Sequence, residues 1–122
     1  MTDRTAGVIG TWDDVFAESP ADVQSLALAL RGLILRLDPG VVEVARPGDG
    51  AVTFGHGPRK MKDGYAYLAP HRDRVNFGLY HGATLADPAG LLEGTGKALR
   101  HVKVRGSLPG GLEALVLQAM RR

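Results

Sequence analysis

The sequence predicts a single α+β domain, with N-terminal helices and a C-terminal helix packed on a mainly antiparallel sheet of about five strands. Three observations carry this. A capped segment near the N-terminus has its apolar residues at helical spacing. From residue 41 the pattern switches to short alternating runs divided by turn residues. Residues 107–122 then return to helical spacing. The 122 residues fit one domain spanning 1–122, long enough to bury a core without disulfides or metals.

A short helix over 11–18 comes first, with Thr11 as its cap and Trp12, Val15 and Phe16 as packing residues. In "SPADVQSLALALRGLILRLDPG", Ser19 reads as the next N-cap, Pro20 as the first helical residue and Asp22 as the partner in a capping box. Val23, Leu26, Ala27, Leu30, Leu33, Ile34 and Leu37 recur every three or four residues. Leu28 and Leu35 widen the stripe, and Asp38-Pro39-Gly40 stops it. Strands follow at 41–45, 51–56, 65–71, 74–81 and 99–105. "RPGDG" and "HRDR" act as tight connections, so the first four runs form an antiparallel meander. "ADPAGLLEG" reads as a short helix capped by Asp87, with Gly94 and Gly96 then turning the chain into the last strand. The closing helix faces Leu112, Leu115, Val116 and Met120 to the core.

Composition narrows the function. Absent cysteine excludes a disulfide scaffold, a cysteine-based zinc site and a catalytic thiol. The N-terminus has no apolar run after a basic segment, so neither a signal peptide nor a membrane anchor is expected, and the expected location is the cytoplasm. The net charge of +2 conceals opposite ends: residues 1–22 hold five acids against Arg4, and residues 95–122 hold six cations against Glu113. Nucleic acid is disfavoured as a partner, because the basic set is compact and the net charge small.

"KMKDGYAYLAPHRDRVNFGLYHGATLADPAGLLEGTGKALRHVKVR" resembles the YdhG-like family of domains of unknown function, over roughly residues 15–118 and most specifically from Asn76 through Arg105. The resemblance implies helices packed on an antiparallel sheet and no established activity. The family's fold has been likened to frataxin-type iron chaperones, a likeness of fold that does not fix function.

Catalytic motifs are absent. "GTGK" lacks the P-loop pattern: Leu91 stands where its first glycine belongs, Ala98 replaces the magnesium-binding hydroxyl, and a strand follows instead of a helix. Ser19, Ser25 and Ser107 occupy cap or helix positions outside any G-x-S-x-G. Asp63 and Asp73 sit where turns favour aspartate. His56, His71, His81 and His101 show no metal-ligand spacing. No cofactor is implied.

Binding is therefore the expected role. In "RVNFGLYH", Val75, Phe77, Leu79 and His81 share the face packed on helices, while Asn76, Gly78 and Tyr80 share the other. Gly78 leaves room there for a ligand, and Tyr65 and Tyr67 lie beside it. In the last strand Val102 and Val104 face the core, opposite His101, Lys103 and Arg105, with Arg100 pairing with an acid on the apolar side. The expected ligand is a small phosphate or carboxylate held by Tyr65, Tyr67, Asn76, Gly78, Tyr80, Lys97, His101, Lys103 and Arg105. A solvated basic edge is the competing reading of the last strand. Two further functions stand beside anion binding: metal handling through Asp13, Asp14, Glu18 and Asp22, and a protein-interaction domain or homodimer.

Overall fold

The computed structural model describes residues 10–121. Helix α1, Trp12–Phe16, opens on the expected cap: Thr11 Oγ1 accepts the Asp14 amide and Asp14 Oδ2 accepts the Thr11 amide, a reciprocal capping box. It ends earlier than expected. The residue before Pro20 is driven out of the helical region, and the Ser19 amide closes the turn on the Phe16 carbonyl.

Helix α2, Ala21–Leu37, starts one residue later than the sequence suggests, with Pro20 rather than Ser19 at the cap position. No side chain caps it. Asp22 instead takes the Val23 amide, and Gln24 donates to the Ser19 carbonyl. The helix buries Val23, Leu26, Ala27, Leu30, Leu33 and Ile34. Leu28 does not widen this stripe, being 54% exposed.

The sheet is a five-stranded antiparallel meander in the order β1-β2-β3-β4-β5. Its strands are Val42–Arg46, Ala51–Gly55, Gly64–Pro70, Val75–Leu79 and Arg100–Val104. The two tight connections form as expected: a 3-10 turn at Pro47–Asp49 ends on left-handed Gly50, and the His71 amide closes on the Arg74 carbonyl. Between β2 and β3 the chain makes an additional short helix, α3, Lys60–Asp63.

The helix expected over 86–94 does not form. Gly90 is left-handed and its amide closes a turn on the Asp87 carbonyl, so helical dihedrals cannot propagate. Asp87 still caps, accepting the amides of Leu91 and Leu92 in an irregular segment. Helix α4, Leu112–Met120, holds that segment down: Gln118 both accepts the Ala86 amide and donates to the Ala86 carbonyl.

The helices cover one face of the sheet. Phe54, Leu68, Phe77, Leu79, Val102 and Val104 pack there against Phe16, Leu30, Ile34, Leu115 and Val116 in one core. Arg31 from α2 donates to the buried Glu43 carboxylate at 2.6 Å and lies over the Trp12 ring, tying both N-terminal helices to β1. Among the described residues no helix is long and apolar enough to cross a membrane.

Candidate functional site

The other face of the sheet is shaped by small side chains. Antiparallel register lines Thr53, Tyr67, Gly78 and His101 across strands β2 to β5, with Ala69 and Asn76 in the next row. Alanine at 51 and 69 leaves this face low, so a depression forms over the central strands. The segment after β2 walls one side. Arg46 Nη2 donates to the Pro58 carbonyl at 2.6 Å, and Lys60 Nζ meets Asp49 Oδ2 at 2.9 Å, holding α3 over the sheet. The residues before β5 wall the other. The open cleft between them measures about 510 Å³.

Tyr67 and Tyr80 dominate its floor, ring centroids 5.6 Å apart and tilted by 50°. Gly78 enables the arrangement in a different way from that expected: a β-carbon there would overlap the Tyr67 ring. The space over Gly78 is therefore filled by tyrosine and does not admit a ligand.

Burial raises the pKa of both cleft tyrosines, that of Tyr80 to about 12. Both stay protonated and able to donate at neutral pH. Among the described residues neither hydroxyl has a hydrogen-bond partner, and neither is a sealed, unsatisfied buried group.

Asn76 Oδ1 accepts from Arg74 Nε, and its amide nitrogen has no partner among the described residues. His71 lines the cleft with its pKa lowered, first by desolvation and then by the Arg74 charge. Two of the three large apolar side chains exposed among the described residues flank the site: Met61, 73% exposed, from the β2–β3 connection, and Leu99, 42% exposed, just before β5.

The structure separates residues that the sequence groups together. Tyr67, Asn76 and Tyr80 line the cleft; Tyr65 does not. Gly64 pairs with Gly55 and Ala66 with Phe54, so Tyr65 is the extra residue of a bulge and turns to the helix side. There it is 3% exposed, and its hydroxyl donates to Asp38 Oδ2 at 2.8 Å.

The β5 face parity holds, with Val102 and Val104 buried and His101, Lys103 and Arg105 opposite them. Its cations are nevertheless not free: Lys103 lies 3.4 Å from Glu93, and Arg105 lies 3.5 Å from Asp73. Neither lines the cleft, nor do His101 and the exposed Lys97. Among the described residues Arg100 has no acid partner and donates instead to the carbonyls of Gly96 and Leu99, bracing the loop that carries Leu99.

Asp13 and Asp14 sit exposed in the first turn of α1, where Asp14 serves the cap, and Glu18 and Asp22 are exposed beyond it. Among the described residues no group of three or more histidines or acids is arranged to hold a metal ion. His56 tilts against Tyr65, and His81 is exposed at the end of β4.

Of the residues lining the cleft, the sequence points only to Tyr67, Asn76 and Tyr80; those it does not reveal include Ala51, Ala69, Met61 and Leu99. The available signal was the small residues Ala51 and Ala69 on the outward parity of their strands. No protein-family model, curated protein or solved structure matches this chain.

Proposed function

We propose that this chain is a small-molecule-binding domain whose site is the cleft on the open face of the sheet. The observation that carries the proposal is the pair of cleft tyrosines whose hydroxyls have no hydrogen-bond partner among the described residues. A domain that used this face only as a solvated surface would have no need to lay Tyr67 over Gly78 and set Tyr80 beside it. The cleft volume of about 510 Å³ falls in the range of about 300–1,000 Å³ usual for ligand sites. Its makeup is also typical of such sites, largely apolar with a few convergent polar groups. The YdhG-like resemblance agrees with this architecture and supplies no activity. Membership of that family stands as a proposal beside the function.

A fragment screen read by protein NMR tests the reading. Shift changes are expected to concentrate at Tyr67, Tyr80, Met61 and Leu99, and Ala69→Trp, which fills the cleft from its floor, is expected to abolish them. Fragments that bind elsewhere, or that bind the Ala69→Trp variant as well as the parent, would remove the cleft from consideration.

A further inference from the structure

The chemistry of the cleft also selects a class of ligand, an inference that rests on the binding reading above. We infer that the site takes an uncharged, planar aromatic molecule carrying a carbonyl-type hydrogen-bond acceptor.

Planarity follows from the aromatic floor. Two phenol rings tilted by 50° offer a guest ring both a face and an edge, the two geometries that aromatic quadrupoles favour. Met61 adds a polarizable thioether that suits aromatic contact, and Leu99 closes the opposite flank with aliphatic surface.

The acceptor follows from the polar inventory. Both phenols can donate, and the Asn76 amide nitrogen, left over when its oxygen accepts from Arg74, is a donor only. Three donor groups without partners among the described residues thus line one cleft, complementary to a carbonyl or a ring nitrogen.

Neutrality follows from the charges. The ionic groups lining the cleft are Lys60 and Asp49, and they neutralise each other at 2.9 Å. Of the cations nearby, Lys103 pairs with Glu93 at 3.4 Å, while Arg74 and Arg105, just outside β4 and β5, share Asp73 at 3.3 and 3.5 Å, and none of the three lines the cleft. Arg46 has no acid partner among the described residues, but it does not line the cleft, and its guanidinium is spent on Thr53 and the Pro58 carbonyl. The lowered pKa of His71 keeps its imidazole uncharged at neutral pH. Among the described residues lining the cleft, an anion would lose hydration and meet no cation that an acid does not already pair.

Three matched probes test the inference on the full chain at neutral pH: 2-naphthamide, 2-naphthoate and cyclohexanecarboxamide, each titrated by calorimetry and by NMR. The naphthamide is expected to bind at the cleft, with the carboxylate and the aliphatic amide each weaker by about tenfold or more, that is by about 1.4 kcal/mol. Tyr67→Phe combined with Tyr80→Phe keeps both rings and removes both donors. It is expected to weaken the naphthamide by about tenfold. Equal or tighter binding of the naphthoate overturns neutrality and leaves the binding site standing. Equal binding of the cyclohexane amide overturns planarity, and an unchanged affinity in the double phenylalanine variant overturns the donor assignment. If none of the three probes binds and the fragment screen is also blank, the binding reading itself fails.

Discussion

The two faces of the sheet use tyrosine in opposite ways. On the helix-covered face, Tyr65 is buried and its hydroxyl is satisfied by Asp38 at the end of α2. On the open face, Tyr67 and Tyr80 are half-buried, touch each other and leave their hydroxyls unpartnered. A buried hydroxyl without a partner is costly, so the covered face binds its phenol into the fold. Partial access to water makes the same omission cheap on the open face, and the donors stay available. One residue type thus serves stability on one side and recognition on the other, and depth of burial decides which.

The largest expected contrast is in packing. Phe77 is fully buried against the helices, and Phe77→Ala should cost about 3–5 kcal/mol in urea unfolding. Leu99→Ala, on the exposed rim of the cleft, should change stability by no more than about 0.5 kcal/mol. A large loss at Leu99 would mean that the open face is part of the core and would erase the distinction between the faces.

Gly78→Ala offers an intermediate test, because it adds one carbon at the point where the open face is most tightly packed. The new β-carbon would overlap the Tyr67 ring, which must swing away from the sheet. A cost of about 2–3 kcal/mol is expected from that overpacking. The displaced ring should also occupy the cleft and reduce fragment binding. Stability and binding unchanged together would show that Tyr67 does not rest on Gly78.

What the sequence reveals of this molecule follows from the range of each signal. The side-chain period of two in β4 and β5 is local and strong, so the buried parity of Val75, Phe77, Leu79, Val102 and Val104 is legible in the sequence. Tyr65 is misread for the same reason: one inserted residue at the Phe54/Gly55 shift reverses its face, and no local pattern announces a bulge. The basic residues of β5 look available in sequence because their partners come from elsewhere. Glu93 approaches through an isolated bridge to His101, and Asp73 sits in the turn before β4. The four residues of α3 carry no periodicity, yet they build a wall of the cleft. Its placement depends on tertiary tethers at Asp49 and Pro58 that sequence spacing cannot express.

The smallest effect is also the sharpest test, because it removes single oxygen atoms. Tyr65→Phe deletes the donor to Asp38 in a buried setting and should cost about 1–2 kcal/mol, leaving that carboxylate without its partner. Tyr67→Phe and Tyr80→Phe delete hydroxyls that no described protein group contacts, and each should stay within about 0.5 kcal/mol of the parent. All three substitutions keep the ring, so differences in urea midpoint report the hydroxyl alone. The binding readout should reverse the order: Tyr65→Phe leaves affinity for 2-naphthamide unchanged, and the two open-face variants weaken it. If Tyr80→Phe proves as destabilising as Tyr65→Phe, its hydroxyl is engaged in the fold. The open-face donors would then be structural, and the argument that they await a ligand would collapse.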